Sequence, residues 1–391
     1  MIPAFIHARM PELHYGPGTA RRIPELIRRF GERALVVTGG TSLDASGAWV
    51  AMAHGLQASG VHFSRIRIAS EPSPAIVDNA AASARAEGVQ VVVAIGGGSS
   101  LDAGKAISAM IPSSHSVREH LEGLPGSRPH SGKKSPFIAA PTTAGTGSES
   151  TKNAVLSEVG VDGFKRSIRH DNLVPDIAVL DPELMTSCST DQTAASGMDA
   201  FTQLLEGYVS PKATPLTDAF AWEGMRLASR SLLHVCGEGA QDLDARGAMA
   251  LAAYCSGFVL AHAGLGIVHG LAGPIGGRWP APHGMVCGTL LAASVERNIA
   301  ALRERDPSHP ALARYAAVGG LLCGEDIDNA TGCDRLVARL RGWTDRLPLR
   351  RLAAYGIEPI DCAALATGAD MKQNPIILHE DEVSTLLTAR L

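Results

Sequence analysis

The sequence predicts two domains of different class: an α/β half built on a Rossmann-like parallel sheet, residues 1–182, followed by an all-α half, residues 183–391. Three observations predict it. At 391 residues and roughly 150 residues per domain, the chain asks for two or three domains. Through the first half, short β-rich apolar runs alternate with Ala-rich helical stretches, which is the pattern of a parallel sheet covered on both faces. Beyond Pro182 the runs stop, and long patterns of helical period take over.

The strands follow in order: RALVVTGG (33–40), VHFSRIRIAS (61–70), VQVVVAIGGG (89–98), SPFIAAPTT (135–143) and PDIAVLDP (175–182). Between two of them lies SPAIVDNAAASARAEG (73–88), a capped amphipathic helix. The second half reads as helices at DQTAASGMDAFTQLLEGYVS, PLTDAFAWEGMRLASRSLL, ARGAMALAAYCSGFVLAHAG and HPALARYAAVGGLL, with the segment 264–284 as a loop or helix end. No internal repeat or low-complexity tract interrupts them.

Composition excludes several classes of function. Hydrophobic residues at 45% and charged residues at 19% suit a globular chain. A net charge of -4 supplies no basic field for nucleic acid or anionic lipid. The N-terminal MIPAFIHARMPELHYGPG lacks a basic segment followed by an apolar run, and no stretch reads as membrane-spanning, so the expectation is a cytoplasmic protein. The seven cysteines include no C-x-x-C pair and read mostly as small core residues in a reducing compartment.

Two loops carry ligand signals. In VVVAIGGGSSLDAGKAISAM, three glycines close a buried strand, Ser99 and Ser100 are candidate caps, and a helix begins near Leu101. Such a turn aims backbone N–H groups and a helix N-terminus at an anion such as a pyrophosphate. It matches neither G-x-G-x-x-G nor the Walker pattern. The second loop, PTTAGTGSEST (141–151), also ends a strand, so an extended phosphate-bearing ligand is expected across the carboxyl ends of the sheet.

In the helical half, GMDAFTQLLE places Asp199 and Gln203 one turn apart, on one face of a helix. His269 and His283 lie among glycines and prolines. Two histidines plus Asp199 supply the three protein ligands that a catalytic divalent metal site needs.

Five segments in this order, GGGSSLDAGKA, PTTAGTGSE, VLDPEL, SGMDAFTQLLEGYVS and GLGIVHGLAGPIGGRWPAPHG, resemble the signature regions of the iron-containing (group III) alcohol dehydrogenases. The resemblance spans nearly the whole chain and implies a dehydroquinate synthase-like architecture, a homodimer, and an NAD(P)-dependent oxidoreductase acting on a small alcohol or aldehyde. It implies a divalent metal, Fe or Zn, at Asp199, Gln203, His269 and His283. Gln203 stands where the family has histidine, and an amide oxygen is a weaker ligand, so a loosely held metal is expected. Asp199, His269 and His283 are also the expected catalytic groups.

The resemblance assigns the cofactor to Gly39, Thr41, Ser73, Gly97, Gly98, Ser99, Asp102, Thr142, Thr143 and Lys165. Gly39 falls where NAD-preferring members often carry Asp, so NADP(H) is expected over NAD(H). Gly273 replaces a histidine commonly assigned to proton relay, which leaves water or His262 for that role. Arg278 replaces an apolar aromatic, and a guanidinium there would clamp an anionic aldehyde. The alternatives are a degenerate NADP-binding protein and a cyclase of dehydroquinate-synthase type.

Overall fold

The computed structural model describes residues 4–160, 163–324 and 328–391. These form eight strands: β1 (Glu12–Tyr15), β2 (Arg33–Thr38), β3 (His62–Arg67), β4 (Val91–Gly96), β5 (Phe137–Pro141), β6 (Asn153–Glu158), β7 (Phe164–Arg169) and β8 (Ile177–Leu180). All five apolar runs of the sequence become strands. The helices of this half are α1 (Ile23–Arg28), α2 (Ser42–Ala45), α3 (Ala48–Ala58), α4 (Pro74–Ala86) and α5 (Gly98–Met110).

Six strands make one parallel sheet in the order β1-β8-β5-β4-β2-β3. Alternate residues serve opposite faces, as strand geometry requires. Leu35, Val37, Val92 and Ala94 pack with α4 and α5, whereas Ala34, Val36, Val91 and Val93 pack with α1 and α3. The chain steps outward from β2 to β3 and then returns to the other side of β2 with β4. That reversal creates a switch point, and ligands of such sheets bind outside the strand ends there. β6 and β7 form a separate antiparallel pair.

The second half contains α6 (Thr190–Tyr208), α7 (Pro215–Val235), α8 (Leu243–Ala263), α9 (Ile267–Arg278), α10 (His283–Arg305), α11 (Pro310–Cys323), α12 (Asn329–Arg346), α13 (Pro359–Thr367) and α14 (Glu380–Thr388). They enclose a single large apolar core. α10 meets the length and apolarity of a membrane span, contrary to the sequence expectation. Most of it is nevertheless buried, and it packs on α6, α9 and α12, so core packing accounts for its composition.

The segment 264–284, expected as a loop or helix end, is largely helical, with His269 in the first turn of one helix and His283 at the start of the next. α9 runs through Pro274, and a short Pro-containing turn leads into α10. The turn brings His269 and His283 together from two different helices. Gly270 permits a close crossing by the C-terminal segment, since a Cβ there would lie 1.7 Å from the Asp370 carbonyl oxygen.

Candidate active site

The glycine loop lies at the switch point. α5 begins at Gly98, three residues earlier than the sequence suggests, with Gly97 as its cap. No side chain caps it, so the first N–H groups of a thirteen-residue helix are left for an anion. Ser99 and Ser100 therefore sit in the first turn instead of capping it. Thr143 and Thr146 of the second loop press against Gly97 and Gly98; a Cβ on Gly98 would come 2.5 Å from the Thr146 methyl. Gly39 completes the crevice, near the Ser100 hydroxyl and Gly96.

Beside it is a cavity of ≈ 360 Å³, lined in part by Ser42, Leu43, Met52, Thr142, Asp181 and Leu184. This volume lies within the range of ligand pockets. Sequence reading quoted VLDPEL as a motif but named no residue in it, and Asp181, Glu183 and Leu184 of that motif line the wall. On the other side of α2, Asp44 holds Arg65 by two hydrogen bonds of 2.8 and 2.9 Å and Arg67 at 3.0 Å. Two guanidiniums against one carboxylate leave a net positive charge at the end of β2 and β3.

The second loop connects the sheet to the helical half. Gly145 approaches Ser196 of α6, and Gly147 approaches Gly257 of α8; a Cβ on either would lie within 2.6 Å of its neighbour. Behind these contacts is a buried group of ligand-type side chains. Asp199 Oδ1 lies 3.2 Å from His269 Nε2 and 3.9 Å from His283 Nε2. Cys287 Sγ lies 3.6 Å from His269 Nε2 and 3.7 Å from His283 Nε2. One ligand atom from each of the four falls within 4.8 Å of the others.

Local sequence explains the convergence. His283 is the first residue of α10 and Cys287 is one turn later, so both project from one face. α6 brings Asp199, and α9 brings His269. Glu206, two turns after Asp199, accepts hydrogen bonds from the Val268 N–H at 2.7 Å and from His269 Nδ1 at 2.6 Å. A carboxylate on the far nitrogen is the usual support of a metal-bound histidine, and it turns Nε2 inward toward Asp199.

Charge in the group is strongly coupled. Burial alone would raise the Asp199 carboxyl, but His269, His283 and the Gln203 amide hold it down at about 2. Burial opposes charge on His269, yet Cys287, Glu206 and Asp199 keep its ring well above the ordinary histidine range. Burial pushes His283 down to about 4, leaving a neutral imidazole, and pushes the Cys287 thiol up to about 12. The donor set fits a divalent metal: an anionic oxygen, two imidazole nitrogens and a sulfur, with no competing Lys or Arg among them.

Gln203 is buried beside this group, but its Oε1 accepts from the Ser256 hydroxyl at 2.9 Å. The expectation that its oxygen faces a metal is not met by this arrangement. Cys287, a buried free cysteine, stands in the cluster with Asp199 and the two histidines. The His283–Cys287 spacing of four residues was the signal available.

Other expected residues are engaged elsewhere. Arg278 is half exposed, lies 3.4 Å from Asp361 and stacks over Trp279, so it does not reach the cluster as a free clamp. Both ring nitrogens of His262 are occupied, by the Phe258 carbonyl and the Ala8 N–H, and its ring stacks on His7. Ser73 caps α4 through the Ile76 N–H. Asp102 is partly buried and accepts from the Ser148 hydroxyl at 2.6 Å and the Val155 N–H at 3.1 Å, tying α5 to the second loop and β6. Ser73 and Asp102 therefore each hold a structural contact within the nucleotide half. Thr41 sits at the exposed start of α2. Lys165 pairs with Glu71 at 2.9 Å, and its charge acts on His283, so it stands at the edge of the cluster. A Cβ on Gly273, one turn after His269, would meet nothing within 4 Å.

The comparisons with known proteins agree with this arrangement. Residues 11–182 match the family of iron-containing alcohol dehydrogenases, and residues 193–391 match its C-terminal domain. The probable alcohol dehydrogenase EutG of Escherichia coli is 34% identical over 291 residues, covering 74% of this chain and 72% of that protein. The sulfoacetaldehyde reductase of Bilophila wadsworthia is 27% identical over 99% of both chains. An archaeal alcohol dehydrogenase from a Red Sea brine pool superposes over 100% of both chains with a TM-score of 0.89 at 26% identity. A parallel sheet followed by a helical domain is the fold these proteins share, and the chain belongs to the iron-containing alcohol dehydrogenases.

Proposed function

We propose that the protein interconverts a small aldehyde and its alcohol, drawing hydride from NADP(H) in preference to NAD(H), at a divalent metal held by Asp199, His269 and His283. The observation that carries this is the position of the ligand cluster, directly behind the loop 141–151 that also packs on the glycine turn. Family members use a nicotinamide dinucleotide and a metal; the NADP preference and the residue assignments are this chain's own.

Each half contributes defined work. The free N–H groups at the start of α5 hold the pyrophosphate, with Gly97, Gly98 and Ser99 allowing close approach. Thr142 and Leu184 of the cavity would hold the adenosine half, and Gly39 and Thr41 would border its ribose. No carboxylate at position 39 repels a 2′-phosphate, and Arg67 offers a charge-assisted contact. Thr143 and Lys165 border the nicotinamide half. When bound, the metal supplies Lewis-acid stabilisation of the developing alkoxide. Glu206 fixes the orientation of the His269 ring, which would give up its Nε2 proton on binding a metal, and burial keeps His283 neutral with its lone pair free. As hydride reaches the carbonyl carbon, the oxygen takes a proton from solvent through the open space beside Gly273, because His262 is committed elsewhere.

The test is turnover. Nicotinamide absorbance is followed with NADPH and with NADH against neutral and anionic aldehydes, sulfoacetaldehyde included, using chelated and metal-reconstituted protein. Reduction that requires metal is expected. Cofactor binding with no turnover on any aldehyde, metal restored, would replace this reading with a binding protein.

A further inference from the structure

We infer that Cys287 is the fourth metal ligand of this chain, as a thiolate, in the place that Gln203 does not fill. The inference rests on the metal site proposed above and concerns which side chain completes it.

Geometry is the first argument. A tetrahedral ion with bonds of about 2.0–2.3 Å places its ligand atoms about 3.3–3.8 Å apart. Four of the separations among these ligand atoms are 3.2, 3.6, 3.7 and 3.9 Å, and the remaining two are within 4.8 Å. The cluster is therefore spaced for one ion at its centre, with the sulfur contributing two of those edges. Without an ion the Cys287 thiol lies within hydrogen-bonding distance of both inward nitrogens, so its sulfur already faces the volume an ion would fill. Cys287 is also fully buried, so it has no solvent-facing role.

The position of Gln203 is the second argument. Its oxygen accepts from the Ser256 hydroxyl at 2.9 Å, and the side chain is buried next to Asp199. Gln203 thus stands beside a ligand instead of being one. On binding, the metal displaces the thiol proton, which leaves to solvent as the sulfur–metal bond forms.

A sulfur ligand also changes which ion the site selects. Thiolate with imidazole favours softer ions such as Zn²⁺ and Co²⁺ over Mn²⁺, which prefers oxygen.

The experiment uses the full-length chain loaded with Co²⁺ alone and needs no substrate. Wild type should show a near-ultraviolet thiolate-to-cobalt charge-transfer band and, by X-ray absorption, one sulfur neighbour at about 2.3 Å. Cys287→Ser should lose both and weaken Co²⁺ at least about tenfold, because even outer partners of a metal site are worth that much. Gln203→Ala should keep the band and the sulfur neighbour. A wild-type spectrum without sulfur overturns the inference whether or not either variant folds. So does failure of wild type to bind Co²⁺, or loss of the band in Gln203→Ala with its retention in Cys287→Ser. Turnover enters none of these readouts, so absence of aldehyde reduction would count against the proposed activity and leave the ligand assignment standing.

Discussion

Cofactor choice is where a small change should have the most legible effect. Arg67 follows directly from the sheet: Thr38, the last residue of β2, pairs in register with it, and Gly39 comes next. Its guanidinium shares Asp44 with Arg65 and remains about half exposed. A charge-assisted hydrogen bond to a phosphate is worth about 1.5–3 kcal/mol when well formed. Solvent screening at a half-exposed group and competition from Asp44 reduce this to about 1–2 kcal/mol. Arg67→Ala should therefore lower kcat/KM for NADPH about five- to thirtyfold and leave NADH within about twofold. Gly39→Asp should act in the same direction by repulsion. The new Cβ would sit 3.3 Å from the Ser100 hydroxyl, a contact that a small rotation of that side chain relieves. Steady-state kinetics with both cofactors and one aldehyde decide the matter. A wild-type preference for NADH, or equal losses for both cofactors in Arg67→Ala, would show that this charge does not read the 2′-phosphate.

Two further outcomes are expected. Arg278→Ala should change kcat/KM for anionic and neutral aldehydes by similar small factors, because its guanidinium is already paired with Asp361; a selective loss for the anion of tenfold or more would restore it as a substrate clamp. Glu149 is buried with one oxygen lacking a partner among the described residues, and burial pushes its carboxyl up to about 7 despite the nearby Lys105. The unfolded chain releases that proton near the ordinary value of 4.5, so the contribution is fully present below it and is lost as pH rises through about 7. Glu149→Gln should remove a dependence of about 1–3 kcal/mol from thermal melts between those limits; identical pH profiles for the two proteins would show that Glu149 stays ionised and paired.

How much of this was legible depended on whether the signal was local. The five buried strands could be read because both faces of a parallel sheet are covered, which makes their sequences continuous apolar runs. β1 could not: ELHY is four residues at a sheet edge with mostly exposed side chains. β6 and β7 carry Ser, Lys and Arg, and nothing in the first half marks them as a pair. Asp199, His269 and His283 were readable as ligand types, and the family pattern placed them. The partners that decide their chemistry come from distant segments. Ser256 lies 53 residues from Gln203, and Glu206 lies 63 residues from His269. Arg278 shows the same limit from the other side, since only the fold brings Asp361 to it.

Gln203 and Cys287 are best understood together. A histidine at position 203 and a cysteine at 287 would crowd one small volume with ligands, and a glutamine at 203 with an apolar residue at 287 would leave the ion one ligand short. The family's histidine at 203 needs no donor at 287, and this chain has the alternative combination, in which α10 supplies the donor that α6 lacks. The exchange costs little structurally, because α6 and α10 are already packed along their length and the two positions address the same cluster. It also moves a ligand onto the helix that carries His283, so His283 and Cys287 form a one-turn pair on α10 where Asp199 and residue 203 would otherwise form one on α6. Any ion held there is then anchored most firmly to the α9–α10 corner, next to the open space at Gly273. Freed from ligation, Gln203 keeps its oxygen on the Ser256 hydroxyl.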